Sequence, residues 1–470
     1  MKNLIKILIA LLFSMNLFGQ ESDVAGIWTG KLELPNTIKL TVVFNIQKDS
    51  SGIYNTTLDS PDQGAKGIPT ESTTVNSDSI MINIPVVRGS YSGKIDFNEM
   101  RIDGVWSQAG MSLNLIVQKV DKLEGPKRPQ EPKEPYPYRS EEIKFENKID
   151  SVTLAGTLTL PEAGNNFPAV VLISGSGGQN RDEELLGHKP FLVLSDFLTR
   201  NGFAVLRFDD RGIGESTGNF ASATSEDFAK DVLAAVDYLK TRNEINHSKI
   251  GLIGHSEGGL IAPMVAVKSD DIAFIVLMAG PGLPGDSILV LQSELITKAE
   301  GMNDEEIQKS LKEQRELYAL IKQTDNVDTL KSKLQAKFDS EYSLLSEEEK
   351  SRIGDPKVYF ARQIKSLANP WFKYFLEYDP QTVLEKVKCS VLAINGENDL
   401  QVPAKQNLLA IETSLKKAGN KDFETKMLPG LNHLFQTSST GAVSEYGTIE
   451  ETISPLALNT MLNWLKKETK

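Results

Sequence analysis

The sequence predicts an α/β protein with a doubly wound, mostly parallel sheet and an inserted helical cap, preceded by a small all-β domain. Residues 139–470 alternate short apolar runs with helical segments, which is typical of a parallel sheet covered by helices on both faces. Residues 286–387 interrupt this alternation with amphipathic helical sequence and are predicted to form the cap. Residues 21–120 contain alternating runs between Gly, Asn, Asp and Ser turns, which predicts an antiparallel barrel or sandwich.

The N-terminal segment, residues 1–20, has the features of a secretory signal peptide. Lys2 and Lys6 precede an apolar stretch, residues 7–13, that is too short for a convincing membrane-spanning helix. We therefore expect a secreted or periplasmic protein with no membrane association once the signal is removed. An uncleaved membrane anchor is the alternative.

Charge and cysteine content restrict the partners further. The formal net charge is −12, and the sequence contains no basic run. Such a surface repels nucleic acids and anionic lipids, so we expect no nucleic-acid partner. The lone Cys389 can form no internal disulfide, and its apolar surroundings in the sequence predict a buried, unreactive thiol.

The small β domain and the segment after it offer two possible binding features. Trp28 and Trp106 occur in similar Gly-x-Trp settings and belong either to the domain core or to a stacking platform for a sugar or peptide. Residues 121–138 contain five prolines among charged residues, which favours an extended, semi-rigid spacer. A docking site for a proline-motif partner is the alternative.

The α/β region opens with a predicted hairpin and continues as a parallel sheet with intervening helices. The predicted strand runs are Ile143 to Phe145, Thr153 to Leu160, Ala169 to Ile173, Ala204 to Phe208, Ile250 to Ile253, Ile272 to Ala279 and Val391 to Asn395. The predicted helices are Lys189 to Arg200, Ser225 to Arg242 and Gly258 to Val267.

The cap is predicted between the strand ending at Ala279 and the strand starting at Val391, above the edge of the sheet where ligands bind in open α/β folds. Asn303-x-x-Glu306 and Ser346-x-x-Glu349 are helix-capping signals. The aromatic residues near its end either line an acyl pocket or form ordinary cap core; they are Trp371, Phe372, Tyr374 and Phe375.

The segment Gly254-His255-Ser256-Glu257-Gly258-Gly259 is the strongest functional signal. It is a G-x-S-x-G motif placed directly between a buried strand and a helix, the setting of a nucleophile elbow. The glycines allow strand and helix to approach closely, and the helix N-terminus points the backbone N–H of Glu257 at an oxyanion forming beside Ser256. We predict that Ser256 is the nucleophile.

A serine nucleophile needs a base, and the chain has only four histidines. His255 lies inside the elbow and should point away from the serine hydroxyl, and His247 belongs at the opposite end of its strand. His188 is able to approach the mouth of the site. His433, on a loop after the last apolar run, is the predicted base.

The acid of the triad is predicted from its place in the chain. Asp399 follows the glycine turn that ends a strand, and the order Ser256, Asp399, His433 is the order found in α/β-hydrolases. Asp286, after the preceding strand, is the second candidate.

A second G-x-S-x-G match, Gly214 to Gly218, lacks this setting. The segment Asp209-Asp210-Arg211-Gly212-Ile213 separates its serine from the strand, so Ser216 is not expected to be a nucleophile. We expect this loop to shape the floor of the site, with Asp210 and Arg211 in structural hydrogen bonds.

The second oxyanion donor is expected on the glycine-rich loop Ser174-Gly175-Ser176-Gly177-Gly178, with the N–H of Ser176 favoured and that of Gly177 next. A dinucleotide-binding loop is the rival, but position 180 is Asn where the third glycine belongs.

Five segments carry a family resemblance: Ile173–Gly177, Asp209–Ser216, Gly254–Gly259, Gly396–Asp399 and Asn432–His433. Together they resemble bacterial α/β-hydrolase fold esterases related to the serine aminopeptidase and prolyl oligopeptidase-like families. The resemblance covers about residues 141–470 and implies a metal-free, cofactor-free serine carboxylesterase or related acyl hydrolase. Ser174-Gly175 stands where many relatives have His-Gly, and the small β domain replaces the propeller of the large peptidases.

The leading functional prediction is therefore a serine esterase acting on a small acyl ester through Ser256, His433 and Asp399. A peptidase acting on short peptides is the second hypothesis; its substrate amine needs a carboxylate, for which Glu294 and Glu377 are generic candidates. A glycan- or partner-binding protein with a vestigial hydrolase domain is the third hypothesis.

Overall fold

The structure is a computed structural model that describes residues 23–470 except 34–38, 62–64, 109–110, 124–126, 348–349, 351–352 and 354. The predicted signal peptide and the capping residue Glu349 lie outside the described residues. The chain divides into two compact units, Met1–Gly125 and Pro126–Lys470. Across the described ranges, no helix has the length and apolar character needed to cross a membrane.

The first unit is one antiparallel sheet whose described strands form two meanders, joined by the pairing of the first strand with the last. These strands are β1 (Gly26–Glu33), β2 (Lys39–Lys48), β3 (Tyr54–Ser60), β4 (Ala65–Pro69), β5 (Ser72–Asn76), β6 (Ser79–Ile84), β7 (Gly89–Asp96), β8 (Arg101–Gln108) and β9 (Met111–Val120). The strand order is β4-β3-β2-β1-β9-β8-β7-β6-β5. β3 and β5 also approach each other, and Thr73 Oγ1 donates to Thr56 Oγ1 at 2.7 Å, so the sheet curls towards closure.

Large aromatic side chains fill the inside of this curled sheet. Trp28, Phe44 and Tyr91 are completely buried, and the Tyr91 hydroxyl bonds the backbone oxygen of Leu115 at 3.0 Å. Trp106 is also buried and packs near Phe44. Both tryptophans singled out in the sequence therefore belong to the core of the unit, which leaves neither of them available as an exposed stacking platform.

The second unit contains a mixed sheet whose central strands are parallel. Its strands are β10 (Tyr138–Asn147), β11 (Val152–Pro161), β12 (Phe167–Ile173), β13 (Ala204–Phe208), β14 (Ile245–His255), β15 (Ile272–Met278), β16 (Ser390–Gly396) and β17 (Phe423–Leu428). The order is β10-β11-β13-β12-β14-β15-β16-β17. β10 and β11 form the predicted antiparallel hairpin, and β11 also pairs antiparallel with β13. From β13 through β12, β14, β15 and β16 to β17, all adjacent strands pair in parallel.

Helices cover both faces of this sheet. The helices outside the insertion are α1 (Pro190–Arg200), α2 (Ser225–Lys240), α3 (Glu257–Ala266), α10 (Ala404–Lys417) and α11 (Pro455–Glu468). Along β12, Val171 faces the core formed with α2, α3 and α10, whereas Val170 and Leu172 face the core formed with α1 and α11. Successive strand residues are thus buried on opposite faces, as the continuous apolar runs predicted.

A helical insertion separates β15 from β16. Its described helices are α4 (Gly285–Ala299), α5 (Asp304–Lys322), α6 (Val327–Ser343), α7 (Pro356–Leu367), α8 (Pro370–Glu377) and α9 (Gln381–Leu384). Asn303, the predicted N-cap residue of α5, accepts a hydrogen bond from Glu306 N at 3.0 Å. The insertion also has its own apolar cluster, which includes Leu334, Phe360 and Leu376.

The second half of the proline-rich segment is bound to the second unit. Besides a long bond to Lys127 O, the Arg128 guanidinium donates to four backbone oxygens distant in sequence, those of Leu186, Gly187, Gly447 and Ile449. The Gln130 side chain donates to Ile453 O and accepts from the backbone N–H groups of Thr452 and Ile453. The sequence predicted a spacer here, and the structure shows that residues 128–130 are anchored by hydrogen bonds that composition does not reveal.

Candidate active site

The residues predicted to act in chemistry follow parallel strands at one edge of the sheet. Ser256 follows β14, the loop beginning at Ser174 follows β12, Asp399 follows β16, and His433 follows β17. Because the carboxyl ends of parallel strands meet at the same edge, side chains far apart in sequence converge there.

Ser256 occupies a strained turn between β14 and α3. Its φ is 53° and its ψ is −116°, in the left-handed half of the map that non-glycine residues rarely adopt. A Cβ on Gly254 would lie 2.0 Å from Gly258 O, and one on Gly258 would lie 2.0 Å from Ile173 O. Only glycine fits at these two positions, which explains how α3 starts directly after the serine.

His433 and Asp399 form a buried hydrogen-bonded pair. His433 Nδ1 lies 2.9 Å from Asp399 Oδ2, and the two side chains are almost fully buried. The other carboxylate oxygen, Oδ1, accepts the N–H groups of Gln401 and Val402, each at 2.8 Å. A carboxylate held on both oxygens fixes the ring of His433 with its proton on Nδ1 and leaves Nε2 as the basic nitrogen.

A cavity of about 90 Å³ brings the serine and the histidine to one place. Its lining includes Ser256, His433, Ser176, Gln401 and Leu434. Within the part of the chain that the structure describes, His433 Nε2 has no hydrogen-bond partner.

The glycine-rich loop after β12 is fastened at both ends by carboxylates. Gly175 N donates to Glu183 Oε1 at 2.7 Å, and Gln179 N donates to Asp210 Oδ2 at 2.8 Å. Between these anchors, the N–H of Ser176 has no acceptor among the described residues, and the same holds for the N–H of Glu257 at the start of α3. The loop turns at Gly177, whose φ is 96°.

The remaining candidate acids and bases lie elsewhere. His188 is buried between Thr452 Oγ1 and Tyr446 O, each 2.9 Å away, and burial lowers its pKa to about 4. It does not reach the cavity that contains Ser256. His247 is exposed near the start of β14, and Asp286 accepts a hydrogen bond from Lys322 at 2.6 Å within the insertion.

Ser216, the serine of the second motif, has a structural environment. Its hydroxyl donates to Asp209 O at 2.7 Å and accepts from Ala155 N at 2.9 Å, and the residue is buried. Arg211 makes a two-pronged contact with the carboxylate of Asp231 at 2.7 and 2.8 Å. Both interactions tie this loop to the fold.

Two partly or fully buried carboxyl groups stand beside the elbow. Burial raises the pKa of Glu257, against the effect of hydrogen bonds from Ser225 Oγ at 2.6 Å and Trp371 Nε1 at 2.7 Å. Burial likewise raises the pKa of Asp210 to about 8, although it accepts hydrogen bonds from Gln179 N and Ser174 Oγ. Burial beside the elbow thus disfavours the charged form of both side chains.

Glu183 and His255 form a buried pair that the sequence does not predict. Glu183 Oε1 lies 2.9 Å from His255 Nδ1, and both residues line the cavity beside Ser256. From the sequence, His255 is expected to point away from the serine hydroxyl and is therefore not the predicted base. No local sequence signal links it to a glutamate 72 residues earlier.

The predicted aromatic and acidic residues of the insertion lie outside this cavity. Trp371 packs in the core between α8 and the sheet, with its ring stacked on Phe375 at 5.3 Å. Glu294 and Glu377 line a different cleft of about 700 Å³, together with Asp286. No cluster of His, Cys, Asp and Glu suited to a metal ion occurs among the residues that the structure describes.

Comparison with known proteins places this geometry in a family. The model of the X-Pro dipeptidyl-peptidase family (S15) matches residues 150–427. Esterase EstD of Thermotoga maritima is 32% identical over 146 residues, which are 31% of this chain and 35% of EstD. An acyl transferase of Shewanella woodyi is 32% identical over 123 residues, covering 26% of this chain and 37% of that protein.

The chain thus spans little more than a third of the length of these two curated relatives. Among solved structures, the Pyrococcus furiosus esterase Pf2001 is 17% identical with a TM-score of 0.43, covering 71% of this chain and 92% of that one.

Proposed function

Because this chain belongs to the X-Pro dipeptidyl-peptidase family (S15), a family of serine hydrolases, we propose that it cleaves small carboxylic esters through an acyl-enzyme intermediate. One observation carries the proposal: Ser256, on its strained turn, and His433, paired with Asp399, face one cavity. A serine hydroxyl that faces a cavity is activated for acyl transfer when a histidine base, oriented by a carboxylate, lies beside it.

In the proposed reaction, Ser256 Oγ attacks the ester carbonyl carbon while His433 Nε2 takes the hydroxyl proton. Asp399 stabilises the imidazolium that forms, because its carboxylate remains hydrogen-bonded to Nδ1. The tetrahedral intermediate collapses as the leaving alcohol receives the proton from His433. Water then attacks the acyl-enzyme by the same proton transfers and releases the carboxylic acid.

The backbone N–H groups of Glu257 and Ser176 are proposed to stabilise the oxyanion, with Gly177 as the second loop donor. Glu257 opens α3, so its N–H carries the partial positive charge of a helix N-terminus. The carboxylate anchors at Gly175 and Gln179 hold the loop in place without using the intervening N–H groups.

The helical insertion, α4 to α9, is proposed to cap this site. It emerges between the carboxyl end of β15 and the start of β16. Gln292 of α4 approaches Gln401, which lines the cavity, at 3.4 Å, and Trp371 of α8 donates to Glu257. The insertion thus contacts the residue after Ser256 and a residue that lines the cavity, so we propose that it limits the size of the acyl group.

The lining of the cavity favours an ester over a short peptide with a free amino terminus. An ammonium group buried in the site needs a carboxylate partner. Among the described residues around the cavity, Glu183 is the only carboxylate, and its Oε1 already bonds His255 and Gly175. The family match supports the peptidase alternative, in which the same triad cleaves a short peptide.

Export to the periplasm or the cell exterior is part of the proposal and rests on residues 1–20. Mass spectrometry of the protein purified from its native source tests it: a mature N-terminus near Gln20 is expected, and an intact Met1 in the cytoplasm would refute it.

The proposal is tested by comparing Ser256→Ala with Ser216→Ala, since both serines lie in G-x-S-x-G motifs. We expect Ser256→Ala to abolish fluorophosphonate labelling and to lower the kcat for p-nitrophenyl esters by about 10⁴-fold or more. Ser216→Ala should keep the label, with a lower thermal midpoint because it loses two buried hydrogen bonds.

Turnover of p-nitrophenyl acetate and of Xaa-Pro p-nitroanilides by the wild-type protein separates the two substrate classes. A higher kcat/KM for the anilides would favour the peptidase alternative. Retention of most ester turnover by Ser256→Ala would contradict the nucleophile assignment.

A further inference from the structure

A buried carboxylate–histidine pair lies beside the nucleophile, and no step of the proposed mechanism uses it. Glu183 and His255 are 5% and 6% exposed, and Oε1 lies 2.9 Å from Nδ1. Placing an acid and an imidazole away from water costs free energy unless each compensates the other. The pair therefore calls for a physical explanation.

The hydrogen-bond partners of His255 determine where its protons are. Nε2 lies 3.0 Å from the backbone oxygen of His433, and a carbonyl oxygen can only accept, so Nε2 carries a proton. Nδ1 faces Glu183 Oε1, which also accepts the N–H of Gly175 at 2.7 Å. The contact between Nδ1 and Oε1 needs one further proton, and placing it on Nδ1 makes the pair an imidazolium and a carboxylate.

The surrounding charges agree with this protonation state. Burial lowers the pKa of His255, but the carboxylate of Glu183 outweighs it and Asp399 adds to the same effect, so the pKa lies above its ordinary value. His433 also faces the ring, with its ring centroid 5.0 Å away.

The backbone of Glu183 supports a specific role for its side chain. Its φ is 51°, in the left-handed region that costs a side-chain-bearing residue about 1 kcal/mol or more. Such a conformation persists only when its contacts hold it, and here those contacts point at the site.

The pair connects the two loops that must be placed relative to Ser256. At one end, Glu183 holds the amide of Gly175, the residue before Ser176. At the other end, His255 holds the backbone oxygen of His433. His255 directly precedes Ser256 in the sequence. The contacts of Glu183 and His255 therefore join the oxyanion loop, the nucleophile and the base in one rigid unit.

We propose that Glu183 and His255 are positioning residues: a buried carboxylate–imidazolium pair that fixes the oxyanion loop and the His433 loop about Ser256. The pair's role in catalysis rests on the proposed function, whereas its charge state does not.

The informative substitution is Glu183→Gln, which keeps the size of the side chain. One Oε1 atom now accepts from both Gly175 N and His255 Nδ1. A glutamine amide oxygen in that place leaves a cationic His255 without a counter-charge, and an amide nitrogen there would face the N–H of Gly175. Glutamine therefore cannot accept from both Gly175 N and His255 Nδ1 and also balance the charge of His255. Glu184→Gln is the matched control, because Glu184 is the adjacent, exposed glutamate.

The charge state is measured by ¹⁵N NMR of histidine-labelled protein, in which the chain presents only four imidazoles. We expect one buried histidine with both ring nitrogens protonated near neutral pH, and we expect this signal to be lost in His255→Asn. Glu183→Gln should convert it to a neutral tautomer, while Glu184→Gln should leave it unchanged. A His255 with a single N–H in the wild-type protein would overturn the proposed pair, whatever the enzyme activity.

The positioning role is measured by ester kinetics on the same variants. Glu183→Gln should lower kcat by about 10- to 100-fold, less than the loss of an oxyanion donor itself, with little change in KM. A wild-type kcat in a folded Glu183→Gln protein would overturn the positioning role. If that variant does not fold, Glu183→Asp decides: its shorter carboxylate should keep the doubly protonated signal and still lower kcat, and unchanged kcat refutes the role.

These readouts separate failure of the pair from failure of the proposed function. Absence of ester turnover and of fluorophosphonate labelling in the wild-type protein would refute the hydrolase assignment, and the NMR result would still decide the charge state of His255.

Discussion

Replacing Asp399 with asparagine should nearly abolish activity, because the fold dictates how the new amide is oriented. Oδ1 of Asp399 accepts two backbone N–H groups, those of Gln401 and Val402. In Asp399→Asn, only the amide oxygen can occupy this position without losing both hydrogen bonds. The amide NH₂ must therefore take the place of Oδ2, 2.9 Å from His433 Nδ1.

This orientation forces His433 into the wrong tautomer. An NH₂ group facing Nδ1 requires Nδ1 to accept, so the ring proton moves to Nε2, the nitrogen that must take the proton of Ser256. The equivalent substitution in a well-characterised serine protease triad lowers kcat about 10⁴-fold, which corresponds to about 5.5 kcal/mol of transition-state stabilisation. We expect a loss of the same order here, since the second oxygen of Asp399 is just as firmly held.

The assay is kcat for p-nitrophenyl acetate, with thermal unfolding to show that the variant is folded. Asp286→Asn is the control, because Asp286 was the other acid candidate and is paired with Lys322 in the insertion. It should retain activity close to the wild-type value. If folded Asp399→Asn kept activity within tenfold of the wild type, or if Asp286→Asn were the inactive variant, the tautomer argument would be wrong.

Further predictions concern the parts of the fold that support the site. Burial lowers the pKa of His188 to about 4 in the folded protein, against about 6.5 in the unfolded chain. The unfolded chain therefore binds a proton first as the pH falls, and the stability that the neutral His188 contributes above pH 6.5 is lost as the pH approaches 4. Urea unfolding should show a loss of at most about 3 kcal/mol over this range that His188→Gln lacks. Arg128→Ala removes the hydrogen bonds to four backbone oxygens distant in sequence and should lower the free energy of unfolding by about 2 to 4 kcal/mol, whereas Lys127→Ala should leave it unchanged. Trp371→Phe should lower the free energy of unfolding by about 1 to 2 kcal/mol more than Trp464→Phe, because Trp371 Nε1 donates to Glu257 and Trp464 Nε1 has no partner among the described residues. Equal losses would show that the hydrogen bond to Glu257 does not contribute to stability.

The tight turn at Ser256 and the parallel strands themselves were predictable because their signals are local. Gly254 and Gly258 are required by backbone contacts of 2.0 Å, so the spacing of glycines around Ser256 directly reflects the geometry. The parallel strands are buried on both faces, and continuous apolar runs therefore marked them. The last strand, β17, was missed because it pairs only with β16 at the edge of the sheet, where Glu424 and Lys426 interrupt the apolar pattern.

Contacts between distant segments could not be predicted in this way. The sequence gives no periodicity or motif that pairs Glu183 with His255, because the pair depends on the loop after β12 folding back over the end of β14. The anchoring of Arg128 is similar, since its partners are backbone oxygens more than 300 positions away in two cases, which carry no sequence signature. A proline-rich composition predicts an extended segment but not what the segment touches.

The two carboxylates near His433 restrain different parts of this residue, and together they account for how a loop histidine can serve as a base. Asp399 holds the ring through Nδ1, and Glu183 holds the backbone oxygen through His255. A base is effective only if its nitrogen stays within about 0.5 Å of the productive position, a tolerance that a free loop does not maintain. Restraint of the ring alone would let the loop carry the ring away from Ser256, and restraint of the backbone alone would let the ring rotate. Because His255 is also the residue before Ser256, any displacement of the nucleophile turn displaces the anchor of the base in the same direction. The distance between serine and histidine is thereby set by a single covalent and hydrogen-bonded path rather than by two loops that move independently.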